Sequence, residues 1–306
     1  HQFWNLIHEN IEINTVRELA VHINKEQKNI FHFAIENQNS ETLKFIFENL
    51  SLIMSEEELK QMLRTSSSEN KNIFFIAVEK NDRKILEIVL NILSDTLNEV
   101  ELKHLISSKS TKGTTILHHA CSKLSNENFE EFLKHLAKLL THEEWKDFIL
   151  NETESGEIAL MFATNSESSK ILNIFWNFLQ YLCSIEELKS ILLHRDNFGS
   201  TVFDYALRSK SEEIFLTTKE IYGGIFAVEM VRELISDSIL FSLVLSSSDS
   251  NANMFKEVLT FLQDVLKFEA MRKLVRFRNN EGKTVMEKIK SLKLYEHEKI
   301  LKPVID

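Results

Sequence analysis

The sequence predicts an all-α fold, an α-solenoid of stacked helical repeats, on three observations. A five-residue apolar segment ending in alanine recurs with a period of 43 residues. Between these segments the apolar residues follow helical spacing, with none of the alternation of a half-buried strand. The 306 residues include only six Gly and one Pro, too few for the many turns of a sheet-rich fold.

The period is read first, because a missed repeat misassigns the whole fold. Ile30 to Ala34, Ile73 to Ala77, Ile116 to Ala120, Ala159 to Ala163 and Val202 to Ala206 each close on an alanine, and every step is 43. A second marker keeps the same phase: Leu59, Leu102, Trp145 and Leu188 sit inside E-E-L-K-like segments, continued more loosely by Val231 and Leu274. Stepping back from Leu59 lands on Val16. The predicted organisation is one array over 1–306: the tail of a preceding unit at 1–24, then units 25–67, 68–110, 111–153, 154–196 and 197–236, a degenerate unit 237–279 and a partial unit 280–306. The phase slips after Ala206, where Ser238 to Val244 reads as a first helix arriving early. Because the first residues belong to an unfinished unit, the start of the array is expected to expose apolar surface unless Phe3, Trp4 and Leu6 cover it.

Each unit reads as three helices. The first is short and carries the alanine. The second is amphipathic, as in Leu43, Phe45, Ile46, Phe47 and Leu50. The third is the E-E-L-K segment, with its acids in the first turn where the helix dipole favours them. Polar stretches such as Thr65 to Lys71 and Ser107 to Gly113 lead into the next unit. One such unit buries too few side chains to offset the entropy of ordering its backbone, so neighbours must supply contacts.

The alanine segments resemble the ankyrin repeat, whose motif is G-x-T-x-L-H-x-A. Gly113, Thr115, Leu117, His118 and Ala120 carry the fullest match; Gly199, Thr201, Phe203 and Ala206 match less fully, Gly156, Leu160 and Ala163 keep three positions, and Gly282, Thr284 and Met286 open the last unit. The first two units have Gln27 and Asn29, then Asn70 and Asn72, in place of Gly and Thr. The resemblance implies helix pairs with the third helix as an insertion of about ten residues, since ankyrin units run about 33 residues. A HEAT or armadillo array, with units of about 40–47 residues, is the alternative that unit length favours.

Composition narrows the function. With 43% apolar and 27% charged residues the chain is a folded protein, and its net charge of −10 argues against nucleic acid as the partner. Cys121 and Cys183 form no C-x-x-C pair and fit buried thiols in a reducing, cytoplasmic setting. No apolar run is long enough to insert this chain directly into a membrane. His118, His119 and Cys121 are the one tempting metal cluster, but adjacent helical residues point about 100° apart. His118, like His32, reads as a structural histidine, which the resemblance implies bonds neighbouring loops. The acid pairs at Glu56 to Glu58, Glu143–Glu144 and Glu186–Glu187 recur at one phase, which fits helix capping rather than a single active site. Lys60, Lys103, Lys146, Lys189 and Arg232 form a matching basic row, read as solvated ion pairs. Gly223–Gly224 reads as a helix end between helices. No phosphate loop or hydrolase or kinase signature occurs, so neither an enzyme nor a cofactor is expected.

What remains is a binding role with a protein partner. The resemblance implies a concave binding face built from loop tips and the exposed ends of the first helices: Glu79, Lys80, Lys112, Ser122, Lys123, Asn165, Ser166, Asp196, Asn197, Phe198, Arg208 and Ser209. Phe198 either anchors a partner or folds back onto the neighbouring unit. The expected role is a protein–protein interaction scaffold within a larger protein. The alternatives are the cytosolic part of a TRP-like channel and the targeting array of an effector or toxin whose catalytic domain lies elsewhere.

Overall fold

The computed structural model describes residues 12–166, 168–209, 211–226, 240, 244, 252–266, 268–279 and 281–305. The described residues are helical throughout their regular structure, with two isolated bridges, Ser66 with Asn72 and Arg278 with Thr284, in place of any strand. The chain divides into two compact units, 1–154 and 155–306. The expectations for Phe3, Trp4 and Leu6, for Val231 and Arg232, and for most of Ser238 to Val244 lie outside the described residues; Leu240 and Val244 are helical and buried.

In the first unit the helices are α1 (Ile13–Ala20), α2 (Ile30–Glu36), α3 (Ser40–Ile53), α4 (Glu56–Arg64), α5 (Ile73–Lys80), α6 (Arg83–Thr96), α7 (Glu99–Ser107), α8 (Ile116–Lys123), α9 (Asn126–Ala137) and α10 (His142–Ile149). The short α2, α5 and α8 pack in sequence as one layer, and α3 and α6 pack beside one another as the second. The second unit holds α11 (Ala159–Ala163), α12 (Ser169–Leu182), α13 (Ile185–Leu193), α14 (Val202–Arg208), α15 (Glu212–Ile225), α16 (Ala252–Val265), α17 (Phe268–Arg276), α18 (Val285–Ser291) and α19 (Tyr295–Ile305). Here α11 meets α14, and α12, α15, α16 and α19 follow one another.

The second helices begin at 40, 83, 126, 169, 212, 252 and 295, so every step is 43 except one of 40. That single shortened step is the phase slip. It moves the third-helix marker: α13 and α17 begin 83 residues apart, so Met271, not Leu274, stands in register with Leu188. Both are buried, Leu274 one turn further along.

Burial follows the period. Ala34, Ala77, Ala120, Ala163 and Ala206 are all buried on first helices, where a larger side chain would push the stacked helices apart. Leu50, Leu93, Leu136, Leu179, Tyr222 and Leu262 occupy one position of the second helices and are buried, whereas Ile305, at the same position of the last of them, is exposed. Aromatic contacts cross between repeats, as in Phe74 with Phe132 at 6.0 Å in the first unit and Phe203 with Phe261 at 5.6 Å in the second.

The third helices open on capping boxes: Ser55 with Glu58, Asn98 with Glu101, Thr141 with Glu144 and Ser184 with Glu187. The basic row follows from the same geometry. Lys60 pairs with Glu56 at 2.7 Å and approaches Glu101 of the next repeat at 3.8 Å; Lys103 pairs with Glu99 at 2.7 Å and Glu144 at 2.9 Å. Two of the carboxylates are held below their usual range, Glu56 by its hydrogen bond from the Lys60 ammonium and Glu144 first by the Thr141 amide and then by Lys103. Gly223 and Gly224 do not lie between helices: they sit in the last turn of α15, which ends at Ile225. Cys121 is a buried free thiol whose ionisation burial strongly opposes, whereas Cys183 is half-buried, not buried as expected.

Candidate interaction surface

The loop before each first helix is one hairpin, built from a residue with left-handed φ. Gln27, Asn70, Gly113, Gly156, Gly199 and Gly282 all have φ between 56° and 79°, Asn70 marking the lower bound and Gly156 and Gly199 the upper. Gln27 and Asn70 therefore hold the conformation that glycine holds elsewhere, one that costs a side chain about 1–2 kcal/mol. In each complete hairpin the left-handed residue donates its amide three residues back, as Gly113 does to Ser110 at 2.9 Å and Gly199 to Asp196 at 2.9 Å.

The hairpins are joined edge to edge. Ser68 N–H donates to Glu26 O at 2.7 Å, Thr111 N–H to Glu69 O at 2.9 Å and Glu154 N–H to Lys112 O at 3.1 Å; in the second unit Asn197 N–H donates to Ser155 O at 2.9 Å. A Cβ on Gly113 would lie 2.8 Å from the Glu154 nitrogen, so this glycine permits the close approach as well as the turn.

First helices are fastened by their caps. Asn29 accepts from Phe31 and His32 N–H, and its amide donates to Met62 O at 2.7 Å; Asn72 accepts from Phe74 and Phe75 N–H and donates to Leu105 O at 2.9 Å. Asparagine in the place of threonine thus caps one helix and ties down the end of another. His118 Nδ1 accepts from the Thr115 amide at 3.1 Å, and His32 Nδ1 stands 3.3 Å from the Asn29 amide, so both histidines close the cap of their own helix. Burial pushes His32 down to about 4, opposed by the Lys71 carbonyl, which stays short of hydrogen-bond geometry with Nε2.

Two positions per repeat stand out on this frame, one at the hairpin tip and one at the end of the first helix. The tip residues are Glu26, Glu69 and Lys112 in the first unit and Ser155 and Phe198 in the second. At the helix ends stand Glu36, Glu79 and Ser122, then Asn165 and Arg208. In the first unit Lys28 is clamped between Glu26 at 2.8 Å and Glu36 at 2.7 Å, and Lys71 between Glu69 and Glu79, both at 2.8 Å. The clamps raise both lysines, for Lys71 against a larger desolvation. His119 extends the second cluster: Nδ1 is 3.1 Å from Glu79 Oε1 and Nε2 is 3.0 Å from Thr114 Oγ1. Burial alone would raise Glu79; hydrogen bonds from His119 and Lys71 outweigh it and hold the carboxyl down to about 2. A groove of about 230 Å³ runs between these clusters, lined by Glu26, Lys28, Glu36, Glu69, Lys71 and Glu79 among others.

The twelve residues expected on the binding face divide. Lys112, Lys123, Asn165, Asn197, Phe198 and Arg208 are exposed, and Glu79, Lys80, Ser122 and Ser209 are half-buried. Two are not available to a partner. Ser166 is buried and donates to the carbonyls of Ala163 at 2.8 Å or Ser168 at 2.7 Å, closing the end of α11. Asp196 is buried because its carboxylate builds the hairpin, accepting from Phe198 N–H at 2.9 Å, Ser200 N–H at 2.7 Å and Tyr205 O–H at 2.9 Å. Phe198 is 83% exposed, so it projects from the tip and does not fold back. The residues missed from sequence are Lys28, Lys71, His119 and Tyr205. The repeated E-x-K spacing of Glu26–Lys28 and Glu69–Lys71 was the signal for the first two.

Among the described residues no helix is long and apolar enough to cross a membrane. Neither the protein-family models nor the curated proteins contain a match to this chain. Among solved structures, the predatory endopeptidase Bd0816 of Bdellovibrio bacteriovorus in complex with immunity protein Bd3460 is similar over 71% of this chain and 89% of the matched chain, at 17% identity and a TM-score of 0.47. A likeness this distant carries nothing about activity or partner.

Proposed function

We propose that this chain is a protein-binding scaffold, an ankyrin-like array that engages a partner through its hairpin tips and the solvent-facing ends of its first helices, and that it acts by binding rather than catalysis. One observation carries the reading. The backbone frame of the tips repeats from unit to unit, while the side chains it presents change from Glu26 and Glu69 to Lys112, Ser155 and Phe198. A constant frame with variable exposed chemistry is what recognition of an irregular partner surface requires. The left-handed hairpin before each capped first helix supports the ankyrin-like reading over a HEAT or armadillo array, whose helix pairs have no need of that turn. The buried free thiol of Cys121 supports a reducing, cytoplasmic setting.

The test pairs two variants in affinity capture with the full chain as bait. A tip variant carries Lys112→Glu, Phe198→Ala and Arg208→Glu; a control carries Leu52→Gln and Tyr181→Ser, at exposed positions of second helices. With both variants folded by circular dichroism, proteins retained by the wild type and the control should be lost from the tip variant. Loss from the control with retention by the tip variant would reject this surface.

A further inference from the structure

Resting on that reading, we infer that the hairpin of residues 195–208 in the second unit recognises an acidic segment of a partner protein that also carries an apolar side chain. The chemistry of this finger is the reverse of that in the first unit. There Lys28 and Lys71 are neutralised, each held by two carboxylates. Here Arg195 and Arg208 have no carboxylate within ion-pair distance among the described residues. Arg195 donates to Gly199 O at 2.6 Å, which brings its guanidinium to the tip, one residue from Phe198. Arg208 lies over the Tyr205 ring at 4.6 Å and donates to Asp204 O at 3.2 Å. Both arginines are exposed, and a guanidinium with free donors is matched in geometry and charge by a carboxylate.

Phe198 supplies the second half of the recognition. A phenyl ring 83% exposed at a hairpin apex gains most by entering a partner's apolar contact, and aromatic and arginine side chains are the usual anchors of interfaces. The finger is held rigid in advance. Asp196 fixes the Phe198 and Ser200 amides, and Tyr205 O–H bridges Asp196 at 2.9 Å and Glu157 at 2.7 Å, so little ordering cost falls on binding. A single-stranded nucleic acid offers anions and stacking bases too, but its phosphates meet a chain of net charge −10 along their whole length. A short acidic segment meets only the finger.

The assignment is tested by selecting a random 12-residue peptide library, displayed on phage, on the full chain and counter-selecting on the folded triple variant Arg195→Gln, Phe198→Ala, Arg208→Gln. Recovered peptides should be enriched in Asp and Glu with at least one Leu, Ile, Phe or Trp, bind the variant at least tenfold more weakly, and weaken as salt is raised. Basic peptides, or a single-stranded DNA 12-mer bound more tightly than any peptide, would overturn it. Peptides that bind chain and variant alike would overturn the assignment of this finger and leave the scaffold reading standing. A selection that enriches nothing would count against both.

Discussion

At the residue scale, the sequence motif stands for a conformation. Glycine at 113, 156 and 199 matters because the hairpin needs a left-handed residue, and Gln27 and Asn70 show that the turn persists without it. The degenerate match in the first two repeats was therefore a difference in residue type and not in structure. His32 shows how burial converts a cap into a pH sensor of stability. Its ordinary value near 6.5 falls to about 4 in the folded chain. Between those values the unfolded chain binds the extra proton, so folded stability is complete above about 6.5 and is lost as pH falls toward 4. The loss from this one group is about 3 kcal/mol at most. Replacing His32 with Gln keeps an acceptor at the third helical position and removes the titration. Urea melts from pH 7 to 4 should show a flatter loss of stability in His32→Gln than in the wild type; identical slopes would remove His32 from the acid response. Glu79, held down to about 2, acts in the same direction at lower pH, its stabilisation present above about 4.5 and lost below.

At the scale of the element, the legible and illegible parts separate by cause. Helix identity was legible because apolar spacing and acids in the first turn are local properties of the chain. The third helices were read from E-E-L-K, and the capping residue before each of them, Ser55, Asn98, Thr141 or Ser184, gives the physical reason. Thr141→Ala should destabilise by about 1 kcal/mol, and Thr141→Ser by much less, as measured by thermal or chemical melts. Equal losses would mean that packing of the threonine methyl, and not its hydroxyl cap, is what matters. The burial of Asp196 and Ser166 was not legible, because it depends on how a loop folds over its own polar side chain. Nor was the His119–Glu79–Lys71 cluster, whose members come from different repeats and meet only once these have stacked. The exposure of Phe198 was likewise a matter of tertiary placement: sequence offered both a projecting and a packed ring.

For the whole molecule, stability belongs to the stack. First helices contact first helices and second contact second within each compact unit, and the lysines of the third helices reach carboxylates of the following repeat. The hairpin ladder crosses the same boundaries. An isolated repeat would leave all of these groups without partners. The most direct measurement is the helical circular dichroism per residue of a length series: one repeat (68–110), two repeats (25–110) and three repeats (25–153). Little helix in the single repeat, a steep rise with each added neighbour and cooperative melting only in the longer pieces is the predicted result. A single repeat that is fully helical and melts as sharply as the three-repeat piece would show that each folds alone, and would contradict the stacking on which the tip surface depends.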